Sequence, residues 1–500
     1  MFMRLLGYLA AAAFALGIVG DSLASDVSPD LEVTLIVRGL NNDLSNCDAY
    51  RDRLDALITR PDLETASPLT RRVALSTFLQ CSPKDSDATL AAARQLTSIA
   101  ETPFEVYAAQ RTLLRDARRR SDIQAYLQAF AAIVDADPSL VANWNPLAFD
   151  WALTEVRDDP AAKLALLSRL RDIPWAGEIG QDGARNGWAY QQAMLLADAG
   201  DVAKAAPLIE GSDATWVMMS AAQDKRFATL WPALQAAGRF DWTKVSEAEL
   251  DRTRRRARAN PGRLEAIVVE SDLLRSLGRY DEAAALGADY AKRLQAGETF
   301  EDARQQRGWV LNAYAYVLSD LGRFDEADAV MASAEGADGV SQRINRAELL
   351  NDAGHPAQAL SVIAQIDPKM SSPFGAMWRD AAAVCAHAQL GDAAATRDQL
   401  DLMRPRWREN AAALTKALIC ADALDEAAAL YVRRLDTPAT RFGALAAFRS
   451  GRAPPVTTPV RAAFEARRAQ VLARPEVQAA LAKWGRALTL PLAGTYWGDL

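Results

Sequence analysis

Residues Leu274–Leu286 read LRSLGRYDEAAAL, and residues Leu318–Val330 read LSDLGRFDEADAV. In each copy an apolar-periodic run stops at Leu-Gly, two residues turn, and an acidic pair opens the next run: Asp281-Glu282-Ala283, then Asp325-Glu326-Ala327. Glycine adopts the left-handed conformation that closes a helix, and carboxylates at the start of the following helix oppose its dipole. Each stretch therefore predicts a helix-turn-helix hairpin, and writing it twice predicts a stack of them.

The same punctuation recurs around Gly200, Gly238, Gly354 and Gly391, and again in ICADALDEAAALYV, where Asp422 stands in the glycine's place. Successive intervals run roughly 31 to 44 residues, one hairpin each with loop insertions. The pattern resembles the tetratricopeptide repeat family. Small residues fall inside the first helix (Ala193, Ser271, Ala315, Ala347), an aromatic at the turn (Phe240, Tyr280, Phe324), and alanine early in the second helix (Ala205, Ala283, Ala327, Ala359, Ala427). Short side chains there let the paired helices approach closely. The resemblance covers residues 187–440 and implies an all-α chain, an α-solenoid of stacked antiparallel hairpins wound as a right-handed superhelix. It weakens at Gly238, where Trp231 and Thr243 occupy small positions, and at Gly391, where Thr396 replaces the alanine. Those two hairpins are expected to be distorted or differently phased.

Outside that array the phase is lost. Residues 30–186 read as helices interrupted at Pro61, Pro83, Pro103, Pro138 and Pro160, either degenerate repeats or a separate helical section. Residues 441–500 follow the array; Pro454-Pro455 introduces two short helices, Thr458–Leu472 and Pro475–Leu488, expected to cap the apolar face of the last repeat.

Composition agrees with helices: 50% of the 500 residues are hydrophobic, only 7% are aromatic, and alanine is abundant. A net charge of -7 and a pI near 5.3 argue against a nucleic-acid partner. The basic runs Arg111–Arg120 and Arg252–Arg258 are accordingly read as solvated helix faces rather than phosphate or lipid contacts. At the N-terminus, Arg4 precedes LLGYLAAAAFALGIVG, and Ser22-Leu23-Ala24 offers a small-x-small cleavage site. Residues 1–24 thus read as a signal peptide cleaved after Ala24, the alternative being an uncleaved anchor helix. Export to the periplasm or beyond is expected, in a bacterium with a GC-rich genome. No later segment is long and apolar enough to span a bilayer.

Four cysteines fit an oxidising compartment. Cys47 and Cys81 lie near opposite ends of neighbouring helices, which antiparallel packing brings together. Cys385 and Cys420 fall inside helices, where bridging geometry is demanding. The pairings weighed are Cys47 with Cys81 and Cys385 with Cys420, against four buried thiols.

Chemistry-bearing motifs are scarce. There is no H-E-x-x-H, G-x-S-x-G, Walker loop or G-x-G-x-x-G, and no C-x-x-C. His355 and His387 are too few for an ordinary zinc site or a triad. Glu270-Ser271 matches the catalytic dipeptide of some lytic transglycosylases that also carry helical superhelices, but lies inside a well-phased repeat. No cofactor, metal or catalytic residue is expected. The resemblance instead implies a concave wall lined by the first helices, on which extended peptides or other proteins bind. Its stripe is Tyr190, Met194, Glu265, Asp272, Arg275, Trp309, Asn312, Tyr316, Ser319, Glu348 and Asn351. Trp309, Asn312 and Tyr316 share one helical stripe with apolar area and polar tips, unless the two aromatics pack against the neighbouring hairpin. The family's lysine-and-asparagine clamp for a C-terminal carboxylate is not reproduced. The expected role is a non-catalytic scaffold or adaptor of the bacterial cell envelope. A polysaccharide export or assembly subunit, and an enzyme with an unrecognised site in residues 30–186, remain the alternatives.

Overall fold

The prolines that interrupt the first part of the sequence turn out to start its helices. In the computed structural model, which describes residues 27–40, 46–82, 86–175, 180–335 and 339–494, Pro103 and Pro160 each open a helix, and Pro61 and Pro138 each open a 3₁₀ turn. At the first helical position the missing N–H costs nothing and the fixed φ is already helical. Pro83 and the proposed signal peptide lie outside the described residues. Among the described residues the chain is helical apart from two short strands, and it divides into two compact units, residues up to Gly177 and residues from Glu178. The helix from Gly180 belongs to the second unit.

The first unit comprises α1 (Pro29–Leu40), α2 (Cys47–Ile58), α3 (Pro68–Cys81), α4 (Asp87–Ile99), α5 (Pro103–Arg119), α6 (Ile123–Ala136), α7 (Asp150–Glu155) and α8 (Pro160–Asp172). Leu54, Leu57, Leu75, Phe78 and Leu96 form its apolar centre. Phe149 stacks on Trp144, is tilted against Phe130 and meets Trp175 edge-on. Cys47 and Cys81 are joined, their Cα atoms 5.1 Å apart, tying the start of α2 to the end of α3.

The α5–α6 turn repeats the array's device without its glycine. Ser121 sits at φ 55°, its N–H donates to the Arg118 carbonyl (3.1 Å), and the Asp122 N–H reaches back to Ala117 (2.8 Å). In the second unit Gly278 at φ 76° and Arg279 make the same two bonds, to Arg275 (2.9 Å) and Leu274 (2.8 Å). This doubly bonded closure is a Schellman turn, which demands left-handed backbone at one residue. Left-handed backbone costs a residue with a Cβ about 1–2 kcal/mol, partly offset by glycine's greater freedom in the unfolded chain. Ser121→Gly is therefore expected to stabilise the first unit by about 0.5–1 kcal/mol, read as a higher urea midpoint at unchanged slope.

The second unit continues with α9 (Gly180–Asp198), α10 (Val202–Glu210), α11 (Thr215–Gln223), a 3₁₀ stretch Lys225–Leu230, α12 (Trp231–Ala236) and α13 (Trp242–Ala259). Hairpins of regular proportion follow: α14 (Glu265–Ser276) with α15 (Tyr280–Gln295), α16 (Ala303–Asp320) with α17 (Phe324–Ala334), and α18 (Val340–Asp352) with α19 (Pro356–Ile363). Next come α20 (Pro373–Gln389) with α21 (Ala393–Met403) and α22 (Ala411–Cys420) with α23 (Leu424–Asp436). In the two quoted copies the turn arginine adds a feature of its own. Arg279 grips both oxygens of Glu282 (2.6 and 2.6 Å), and Arg323 repeats this on Glu326 (2.7 and 2.6 Å). The glutamate of each acidic pair is held as well as placed at a helix start.

Of the two hairpins expected to deviate, only one does. At Gly238 the first helix is broken, α12 being a six-residue stub after 3₁₀ backbone. At Gly391 the hairpin is regular, because the Thr396 hydroxyl returns to the Asp392 carbonyl (2.7 Å) and is absorbed where alanine was expected. Consecutive first helices run side by side, α14 on α16, α16 on α18, α18 on α20 and α20 on α22. Being parallel and one repeat apart, α20 and α22 hold residues 35 apart at one height, and Cys385 and Cys420 are joined there with Cα atoms 5.0 Å apart.

The C-terminal part does more than cover the last hairpin. After α24 (Pro438–Ala446), strand β1 (Arg449–Arg452) leads to α25 (Pro459–Leu472), α26 (Pro475–Trp484) and strand β2 (Leu488–Ala493). Helices α25 and α26 do pack on α23, with Val471, Val477 and Leu481 in the apolar cluster there. The expected second helix stops at Trp484, and the chain returns as β2, parallel to β1 with Arg449 opposite Leu488. Helix α24 then meets α11, and β2 meets α13 and α14, so the end of the unit folds back on its beginning. Gln223 is the centre of this junction. Buried completely, it donates to the Leu445 carbonyl, accepts from Arg449 (3.0 Å) and offers its backbone carbonyl to the Arg486 N–H (3.0 Å).

Candidate functional site

Small residues in the first helices let neighbouring hairpins come close, and at that spacing the polar residues of the expected stripe reach one another. On α14, Arg275 lies over the Tyr316 ring of α16, 5.5 Å from its centroid, and donates through Nε (2.9 Å) and Nη2 (2.8 Å) to Asp320. Asp320 also faces Arg461 of α25 at 3.5 Å. Between α16 and α18, Asn345 Nδ2 donates to Asn312 Oδ1 (2.8 Å). From α18, Asn351 Nδ2 donates to the Ala382 carbonyl of α20 (2.8 Å), and Glu348 pairs with Lys416 of α22, two first helices further on. One belt of polar contacts thus runs through five successive first helices.

The stripe is mostly enclosed. Tyr190, Arg275, Asn312, Tyr316, Ser319, Glu348 and Asn351 are buried, while Met194, Glu265, Asp272 and Trp309 keep partial access to solvent. Tyr190 and Met194 stand apart from the belt. Tyr190 sits among Trp216, Phe227 and Phe442, with ring centroids 5.7, 5.9 and 5.5 Å away, and Met194 packs on the same apolar cluster. Glu265 is at the start of α14, where the Asp302 carboxylate accepts its N–H (3.1 Å) and that of Leu264 (2.8 Å). Glu270 accepts from Arg254 at 2.7 Å. In the basic runs, Arg252 donates to the Asp213 carbonyl, and Arg119 and Arg120 both bind Asp116.

Four belt residues escape sequence reasoning: Asp320, Asn345, Lys416 and Arg461. Two carried a signal. Lys416 interrupts the apolar helix AAALTKALIC in a chain whose cations are overwhelmingly arginine, and Asp320 is the acidic residue just before Leu-Gly in LSDLG. Arg461 lies in a segment whose return to α16 nothing local announces.

Charge behaves unusually along the belt. Asp272 keeps 27% of its side-chain surface accessible yet lies deep among neighbouring helices, and the second property governs its charge. Burial pushes its carboxyl up to about 6, against the pull of Arg275. Burial also raises Glu348, opposed by Lys416. For Lys416 burial works downward, but attraction to Glu348 and Asp352 outweighs it and the amine titrates above its usual value. A carboxyl raised on folding contributes stability that is complete below its unfolded pKa and lost as pH rises through its folded one. Asp272→Asn is therefore expected to raise stability at pH 7.5 by on the order of 2 kcal/mol and to change little near pH 4. Paired urea titrations at the two pH values measure this; equal effects at both would remove Asp272 from the titrating set.

The belt orients and pairs charge. Among the described residues no group of three or more His, Cys, Asp or Glu is disposed to hold a metal ion. The histidines stay apart, His387 near Asp392 at 3.8 Å and His355 in a cleft of about 30 Å³ with Ser319, Phe324, Asp325 and Leu349, space for about one water. No helix among the described residues is long and apolar enough to cross a membrane. Compared with known proteins, the chain matches no family model and no curated sequence.

Proposed function

We propose that this chain is a non-catalytic, exported scaffold or adaptor of the bacterial cell envelope, built as a tetratricopeptide-type α-solenoid whose first helices present a wall to protein partners. The observation that carries the reading is the belt itself. Charged and amide side chains on α14, α16, α18 and α22, with a backbone carbonyl of α20, tie these first helices to one another. Such linkage sets successive hairpins at a fixed offset, which an array needs if it is to hold an extended partner in register. Burial of most of the stripe moves the accessible part of the wall to its margin. Of the stripe, Glu265, Asp272 and Trp309 are the belt-side residues that keep access, and carboxylates and an aromatic carried on neighbouring first helices suit a polypeptide partner.

The test is capture of the mature chain from cross-linked envelope of its native host, wild type against a Glu265→Arg, Trp309→Ala double variant. Neither side chain is in the apolar centre, so the variant is expected to fold. A defined protein set recovered with wild type and lost with the variant supports the scaffold. The same set from both overturns the wall assignment, and recovery of glycan fragments without protein moves the chain to polysaccharide handling.

A further inference from the structure

From the last residue of β1 to the first turn of α25 the chain crosses the turns of three successive hairpins in even steps. Arg452 covers Gly278, its Nη2 3.3 Å from where a Cβ would stand; Val456 covers Gly322 at 3.0 Å; Val460 covers Gly354 at 3.7 Å. Four residues of strap are spent per hairpin. Polar bonds to the carbonyl ends of the first helices repeat the register. Arg452 Nη2 donates to Leu277 O (2.9 Å), the Val456 N–H to Asp320 O (3.1 Å), and the Thr458 hydroxyl to Asp352 O. Arg461 then faces the Asp320 carboxylate. The three first helices thus present a row of carbonyl ends, the negative poles of their dipoles, punctuated by glycines that leave space above each turn.

The strap holds this row with polar contacts and little apolar burial. Arg452, Ala453, Pro455, Val456, Thr457 and Pro459 are all exposed, with Val456 at 39%. The helices on either side are anchored differently: α24 is buried at Ala444 and Leu445, and α25 and α26 at Val471, Val477 and Leu481. A segment of low apolar content between two firmly packed elements is the kind that opens locally while the rest stays folded.

We propose that this row of turn glycines and helix carbonyl ends is a docking edge for an extended, proline-containing polypeptide segment bearing arginine, and that residues 452–461 occupy it in the absence of such a partner. The inference rests on the scaffold reading for its purpose and on the strap's register for its chemistry. Prolines keep a segment extended at low entropic cost and donate no N–H, as Pro454 and Pro455 do here. Arginine supplies planar donors for carbonyl ends and for Asp320. The chain's net charge of -7 favours approach of a basic segment.

The probe is a labelled peptide of residues 449–463, RSGRAPPVTTPVRAA, titrated into full-length wild type and into an Arg452→Ala, Arg461→Ala variant whose own strap is loosened. The variant is expected to bind the probe about tenfold tighter than wild type, and neither protein to bind a probe with both of those arginines replaced by glutamate. A folded variant that ignores the probe, or takes both probes equally, overturns the proposal. Should the variant fail to fold, amide exchange on wild type decides. The Val456 N–H is expected to exchange at least about a hundredfold faster than interior amides of α16, and equal protection would show a strap that does not open. A negative probe with positive envelope capture removes the docking edge and leaves the scaffold; a positive probe with empty capture does the reverse.

Discussion

Lys416→Met is expected to cost the second unit about 3–5 kcal/mol at pH 7.5, because it leaves the Glu348 carboxylate buried without its counter-charge. Glu348 is 1% exposed and its only ion pair among the described residues is with Lys416. Methionine preserves most of the lysine stem's volume, so the loss reports the charge more than the packing. The pH dependence separates the two. With the ammonium gone, burial acts unopposed on a carboxyl already raised above its usual range. Its contribution is then complete below the unfolded pKa and is lost as pH rises through the elevated folded value, so the deficit narrows as pH falls. Adding Glu348→Met removes the stranded charge and is expected to restore most of the loss, since a buried pair exchanged for apolar residues of similar volume is often neutral. Urea titrations of the single and double variants at pH 7.5 and 5 measure both effects. A single variant within about 1 kcal/mol of wild type at pH 7.5 would place the pair in solvent.

That pair also shows where sequence reading succeeds and stops. The hairpins are legible because their code is local: Leu274 to Arg279 contains the helix end, the left-handed glycine and the two bonds that close the turn. Asp422 at φ 58° is legible too, because its neighbours keep the pattern. Ser121 hides the equivalent turn in the first unit, since without glycine RRRSDIQAY resembles any charged loop. The stripe's positions are what the resemblance implies, but its exposure cannot be taken from it. Whether Asn312 faces solvent depends on Asn345 arriving from the next hairpin, and that depends on how tightly the first helices approach. The hairpin at Gly391 makes the same point in reverse: Thr396 stands where the other hairpins have alanine, yet its own hydroxyl supplies a bond to Asp392 that keeps the helix start regular. Least legible is the return of the C-terminal segment, where Gln223 meets Leu445 and Arg449, partners more than two hundred residues away. Such contacts leave no periodic trace.

A glycine at that return gives the second large effect. Gly485 has φ −169°, extended backbone open to any residue, so its conformation does not require glycine. Space does. A Cβ there would stand 2.6 Å from the Gln223 carbonyl oxygen and 2.6 Å from Leu445 Cδ2, and the first of these is backbone that cannot swing aside. Gly485→Val must therefore separate residues 485–486 from 222–224, weakening the Arg486 N–H bond to Gln223 (3.0 Å) and the Arg486 Nε bond to Ala222 (2.7 Å). Overpacking of about 1–3 kcal/mol, with about 1 kcal/mol for each hydrogen bond lost, gives an expected destabilisation of about 3–5 kcal/mol. Gly187→Ala is the control. A Cβ there meets nothing within 4 Å, and alanine in a helix is favoured over glycine by about 0.5–1 kcal/mol, so the sign reverses. The location of the damage says more than its size. If α11 and α24 hold each other only through this junction, amide exchange in Gly485→Val quickens at both while α16 and α18 keep their protection. Uniform loss of protection would instead mean that the two ends and the hairpins between them unfold as one cooperative body, and that closing the chain on itself is a condition of the belt's formation.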